Sequence, residues 1–174
     1  MREMRAQEFD LVFAIMQASF PTAEYRPYEE QKMLLHDPRY RIWVQGDAQI
    51  RAFLATWELG DLVFIEHFAV DPACRGQGIG SAMLAERKED AAQPLCLEVE
   101  LPATEQARRR IAFYERAGFT CNTYAYKQPP ISRGKAAVPL LLMTTQGAIT
   151  EDRFRAIRAR LYREVYKVTD FGIE

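Results

Sequence analysis

Cysteine is scarce in this chain, long apolar runs are absent and neither sign of charge dominates. Each lack removes a class of protein. Three cysteines, Cys74, Cys96 and Cys121, are an odd, sparse set without metal-ligand spacing. A disulfide framework or a bound metal is therefore not expected, and free thiols in a reducing compartment are. No uncharged apolar stretch approaches the roughly 18 residues of a membrane span. The start, Met1-Arg2-Glu3-Met4-Arg5, is too charged for a secretory leader, so a cytoplasmic protein without membrane contact is the expectation. Formal net charge is −1, with 23 Lys+Arg against 24 Asp+Glu mixed along the sequence. No overall basic field argues for a nucleic-acid partner, and any affinity for phosphate must be local. No internal repeat or low-complexity segment is present.

What is there suits one ordinary domain spanning 1–174, since 174 residues at 48% apolar content can bury a full core. Gln7 to Ala18 places Leu11, Val12, Ile15 and Met16 on one helical face, and Ser19-Phe20-Pro21 ends it. Tyr28 to Leu35 predicts a second short helix. Tyr40 to Val44, Ile50 to Trp57 and Leu62 to Val70 read as strands, with Gly46-Asp47 and Gly60-Asp61 as turns, which makes an antiparallel meander. The remainder alternates: helix Gly78 to Ala92, strand Leu95 to Leu101, helix Glu105 to Ala117, strand Phe119 to Tyr126. A loop from Gln128-Pro129-Pro130 through Gly134 precedes a strand, Val138 to Thr145. Thr150 caps a last helix, to Tyr166, carrying Phe154, Ile157, Leu161 and Val165. That stripe closes the core or is shared with a second subunit, and a homodimer is expected.

The most informative stretch is Val70-Asp71-Pro72-Ala73-Cys74-Arg75-Gly76-Gln77-Gly78-Ile79-Gly80-Ser81, which joins a strand to a helix. Glycines there let backbone N–H groups converge on a phosphate at the positive end of a helix. The nucleoside triphosphate loop does not fit, because Ser81-Ala82 follows Gly80 where Lys then Ser or Thr is required. The dinucleotide fingerprint fails too: counted from Gly76 its third glycine falls on Ser81, and from Gly78 on Met83. What remains, Arg75-Gly76-Gln77-Gly78-Ile79-Gly80, resembles the Arg/Gln-x-x-Gly-x-Gly/Ala signature of the GNAT superfamily of acetyl-CoA-dependent N-acetyltransferases. About one α/β unit later, Ile111-Ala112-Phe113-Tyr114-Glu115-Arg116-Ala117-Gly118-Phe119 resembles that family's second hallmark. The resemblance covers Leu62 to about Met143 well and the final helix hardly at all. It implies a mixed α/β fold (α+β) of three layers, with a central, mostly antiparallel sheet flanked by helices and an extra C-terminal helix. It also implies acetyl-CoA as co-substrate. The pyrophosphate would lie on the amides of Arg75, Gly76, Gln77, Gly78, Ile79, Gly80 and Ser81, and the pantetheine arm along Phe68, Ala69 and Val70.

Attack of an amine on a thioester needs a base, because an amine with a pKa of about 10 is protonated at neutral pH. Glu66 stands in an otherwise apolar run, four residues before Val70, where the family often places a carboxylate. Burial there is expected to raise its pKa. The alternative is an exposed edge residue. His67 projects to the opposite face by strand alternation and reads as a hydrogen-bonded core histidine. Glu98 and Glu100 compete for the base role, or bind a cationic acceptor, or form a solvated strand face. Tyr114 occupies the position of the family's tyrosine near the coenzyme sulfur and would protonate the departing thiolate, unless it is a core aromatic. The Phe68 N–H would polarise the thioester carbonyl.

One departure qualifies the likeness. An asparagine common in the family seven residues before the tyrosine is Ala107 here, and Arg108-Arg109-Arg110 follows, a phosphate contact or a solvated face. Cys74 borders the loop, although direct transfer needs no covalent enzyme intermediate. The acceptor would be read by Phe20 to Arg26 and by Lys127 to Ala137, with Glu24, Arg26, Glu98, Tyr124 and Tyr126 as pocket residues or plain loop and strand residues. The reading is therefore an N-acetyltransferase acting in a ternary complex on a primary amine, a small molecule before a protein. A protein or peptide N-acetyltransferase, or a CoA-binding sensor without turnover, is the alternative.

Overall fold

The three strand-like stretches between 40 and 70 do form a meander. In the computed structural model, which describes residues 1–168, the chain divides into two compact units after Leu95. In the first, β1 (Arg2–Glu3), β2 (Tyr40–Gln45), β3 (Ala52–Glu58) and β4 (Val63–Val70) lie in that order, each antiparallel to its neighbour. The two-residue β1 is too short for alternation to reveal, which is why the sequence pattern missed it. At the β2–β3 turn Gly46 takes φ of 112°, and a Cβ there would lie 2.0 Å from the Gln49 carbonyl oxygen. Only glycine fits such a close backbone approach.

α1 (Phe9–Ser19) packs on β3 and β4. Its buried face is Phe9, Val12, Phe13, Ile15 and Met16, whereas Leu11, expected on that face, is 53% exposed. The correction has a simple cause: Phe9 and Phe13, four apart, define the stripe, and Phe13 meets Tyr25 and Tyr28 edge-on. α2 (Tyr28–Met33) continues as a 3₁₀ turn to His36. β3 is buried on both faces, with Phe53, Leu54 and Trp57 fully enclosed, so it reads as a continuous apolar run rather than an alternating one. α3 (Ile79–Asp90) follows the glycine loop and packs on β3 and β4.

In the second unit β5 (Leu95–Glu100), β7 (Val138–Thr144) and β6 (Thr120–Gln128) lie in that order, both pairings antiparallel. α4 (Glu105–Arg116) is capped by Thr104 and packs on β6. β6 is irregular between Asn122 and Tyr126. The buried Asn122 side chain donates to the Leu142 carbonyl at 3.2 Å and accepts from the Ile149 N–H at 3.1 Å, tying β7 to the start of the next helix. α5 (Glu151–Arg160) begins at Thr150 as expected, but the helix does not run unbroken to Tyr166. It widens into a π-helical turn, Leu161–Val165. The predicted stripe of Phe154, Ile157, Leu161 and Val165 is covered within the chain, each 3% exposed or less. It closes the core.

At the chain start the Glu8 carboxylate takes both guanidinium N–H groups of Arg2, at 2.7 and 2.8 Å, and the Arg5 backbone N–H at 2.8 Å. These hydrogen bonds, led by Arg2, hold its carboxyl down at about 2, against the opposing effect of burial. A depressed carboxyl contributes stability above its unfolded value of 4.5, and that contribution fades as pH falls towards 2. Glu8→Gln is therefore expected to lower the melting temperature at pH 7 and to converge on the wild type near pH 2. Thermal denaturation across that pH range checks it.

Candidate active site

The expectation that Glu66 and His67 face opposite sides rests on unbroken alternation, and β4 breaks it. Ala55 pairs with His67 and Thr56 with Ile65, so Glu66 is an extra residue on β4, a β-bulge. The bulge turns both side chains the same way. Glu66 Oε2 and His67 Nδ1 lie 3.7 Å apart, each side chain only 2% exposed, and neither atom has a hydrogen-bond partner.

Glu66 is not an edge residue, and its chemistry differs from the expected raised pKa. Its Oε1 accepts from Arg26 Nη1 at 2.7 Å, with the two side chains 2% and 7% exposed. Burial pushes the carboxyl up, yet the Arg26 guanidinium, with a smaller contribution from His67, carries it below the usual carboxylate range. Glu66 is therefore an ionised partner of Arg26. Apolar neighbours alone would have produced the predicted shift; the arginine forty positions earlier in sequence reverses it.

His67 Nε2 lies 2.8 Å from the Glu24 carbonyl oxygen. A carbonyl only accepts, so this nitrogen bears the proton and Nδ1 carries the lone pair of the neutral ring. Burial lowers the imidazole pKa more than the Glu66 charge raises it, so the ring is neutral at pH 7. The Phe20 ring meets it edge-on at 5.0 Å. Arg26, expected in an acceptor pocket, is thus turned inward onto Glu66, and Glu24 meets His67 through its backbone.

Phe68, Ala69 and Val70 continue β4, paired with Leu54, Phe53 and Ala52. Asp71 caps the following 3₁₀ turn by accepting the Ala73 N–H at 2.8 Å. Arg75 folds back, its Nε donating to the Val70 carbonyl at 3.1 Å and Nη2 to Ser19 Oγ at 3.3 Å. Its side chain is spent on shaping the turn. Gly76 and Gly78 take φ of 77° and 75°, and Gly78 is the N-cap of α3. Residues 75–78 and Ser81 are exposed, Gly80 is buried and no acidic residue occupies the first turn. The N–H groups of Ile79, Gly80 and Ser81 precede the first intrahelical bond, Ala82 N–H to the Gly78 carbonyl. This is a set of donors with a positive local field, suited to a phosphate.

In the second unit Tyr114 is 8% exposed, and burial pushes its phenol up to about 12. Its ring sits between Phe113 and Phe119. Glu98 and Tyr126 are brought together: the Tyr126 O–H donates to Glu98 Oε1, and the Tyr166 O–H donates to Oε2 at 2.7 Å. Tyr166 was missed, because only the π-turn before it carries its phenol to Glu98. Burial first, then the Glu98 charge, raises the Tyr126 phenol well above its ordinary value. Tyr124 donates to the Ile149 carbonyl and lies on Phe154. Glu100 pairs with Arg110, Arg109 with Glu105, and Arg108 donates to the Pro102 carbonyl, so the arginine run decorates its own helix and the strand beside it. Ala107 is buried and receives the Thr104 cap. Among the described residues no helix is long and apolar enough to cross a membrane, and no cluster of His, Cys, Asp or Glu is placed to hold a metal.

Comparison with known proteins agrees with this fold. A GNAT-family protein from Bacteroides thetaiotaomicron is 31% identical, with a TM-score of 0.87 over 97% of this chain and 99% of that one. The ribosomal-protein-S18-alanine N-acetyltransferase of Escherichia coli has a TM-score of 0.60 at 20% identity, over 82% of this chain and 89% of that one. A spermidine N-acetyltransferase variant from Vibrio cholerae has 0.61 at 14%, over 82% and 92%. These last two share the fold alone. The sequence profile of the Acetyltransferase (GNAT) family matches residues 5–119, a stretch that contains the meander, the glycine loop, α4 and Tyr114, and the chain belongs to that family.

Proposed function

We propose that this protein transfers the acetyl group of acetyl-CoA to a primary amine, a small molecule rather than a protein, by direct attack in a ternary complex. The observation that carries the reading is the Arg75–Ser81 loop: two glycines at positive φ, exposed, opening a helix with no acidic residue in its first turn. Acetyl-CoA would supply the activated acyl group. The loop amides would take its pyrophosphate, and the Phe68, Ala69 and Val70 backbone the pantetheine amides. The family match runs through the boundary at Leu95, which supports a single catalytic domain. The fold neighbours named for spermidine and for a ribosomal-protein alanine both offer an amine.

In the reaction the amine nitrogen forms a bond to the acetyl carbon as the carbon–sulfur bond breaks. The neutral amine nitrogen gives up one proton and the thiolate takes up one, exchanged through solvent water, so that acetyl-CoA and amine give the amide and the free thiol. Tyr114, by its resemblance to the family tyrosine, faces the departing sulfur. A phenol near 12 stands above a thiol of about 8.5, so outright proton transfer is uphill. The O–H serves as a hydrogen-bond donor to the developing thiolate. Glu66, ionised and engaged with Arg26 through one oxygen, is a weakened base whose other oxygen has no hydrogen-bond partner.

Calorimetric titration tests the reading first: acetyl-CoA is expected to bind where NAD and ATP do not, and absence of acetyl-CoA binding overturns it. Gly78→Ala meets no steric neighbour, but holding alanine at that φ costs about 1–2 kcal/mol. Acetyl-CoA affinity is expected to fall about tenfold, read in the same titration. Tyr114→Phe is expected to lower kcat about tenfold to a hundredfold while leaving acetyl-CoA affinity unchanged, measured by release of free thiol with an amine panel.

A further inference from the structure

The segment between α1 and α2 has little regular structure of its own. One 3₁₀ turn, Thr22–Glu24, closes with the Glu24 N–H on the Pro21 carbonyl, so its position is set by what it touches. The bulge in β4 supplies two grips side by side. Glu66 holds the Arg26 guanidinium at 2.7 Å, and His67 Nε2 holds the Glu24 carbonyl oxygen at 2.8 Å. Phe20 closes the other end of the segment on the His67 ring. An unbulged strand would offer only one of the two side chains to this segment. The charges match as well: Arg26 and Glu66 are both buried, and each supplies the other with a counter-charge.

We propose that Glu66 and His67 are positioning residues that together clamp the Phe20–Arg26 segment onto the β4 bulge and so shape the approach of the acceptor amine. The clamp is a statement about the free protein; its effect on the acceptor rests on the acetyltransferase reading above. The clamp engages Glu66 through Oε1 on Arg26 and needs no proton transfer at Oε2.

Hydrogen exchange by mass spectrometry on the full chain, without acetyl-CoA, separates the clamp from the enzymology. Glu66→Gln and Arg26→Gln each break the buried ion pair and are expected to speed exchange across 20–26 at least about tenfold, with β3 unchanged. The double variant Arg26→Gln/Glu66→Gln replaces the ion pair with two amides that still hydrogen-bond, and is expected to return that segment to within about threefold of wild type. Unchanged exchange in the single variants, or no rescue in the double, overturns the clamp. The His67 Nε2–H resonance, slow to exchange in the wild type, is expected to weaken in Glu66→Gln and to return in the double; persistence in Glu66→Gln counts against a shared clamp. Kinetics with spermidine as the probe amine adds a second readout: the double variant recovers the amine KM and the wild-type pH profile. Loss of turnover in both single and double variants, with exchange normal, would instead make Glu66 the base. Absence of any turnover on spermidine bears on the function proposed above and leaves the exchange result to decide the clamp.

Discussion

A single inserted residue in β4 organises the centre of the first unit. The bulge at Glu66 brings a carboxylate and an imidazole to the same side of the strand. A buried carboxylate without a cation would be forced to protonate or to destabilise the fold by several kcal/mol. Arg26 supplies that cation, and the backbone between α1 and α2 follows, with Tyr25 seated against Phe13. The ion pair therefore does more than satisfy a charge. It couples the conformation of a loop to the geometry of a central strand, and the neutral His67 ring completes the coupling through the Glu24 carbonyl.

The glycine loop works on a different principle. Its donors are backbone N–H groups at the start of α3 and its field is that of the helix, so an anion there would need no charged side chain. Arg75, the charged residue beside it, is spent on shaping the turn through Val70 and Ser19.

The second unit uses buried polar groups as ties. Asn122 joins β6, β7 and the turn before α5, so each of its amide atoms has a backbone partner. Glu98 accepts from two phenols, one on β6 and one beyond the π-turn. The π-turn adds a residue per turn over Leu161–Val165, which rotates Tyr166 inward while Leu161 and Val165 stay in the core. A regular helix would keep the apolar stripe and lose the contact with Glu98.

The sequence by itself determined the longer elements, their order and the glycine loop, because these depend on local periodicity and on glycine at particular spacings. The strands of the meander, α3, α4, β5 and β7 lie within a few residues of their expected bounds, and the helix face of α5 is the expected one. The family was legible from two short motifs, since each encodes its geometry in consecutive residues. Tertiary structure alone decided what Glu66, His67, Arg26, Glu98 and Tyr126 do. A bulge is invisible to alternation because it adds one residue without changing composition. The charge state of Glu66 depends on an arginine brought from another segment, and Tyr166 reaches Glu98 only through a local change of helix type. Periodicity sees neighbours along the chain; electrostatics acts between neighbours in space.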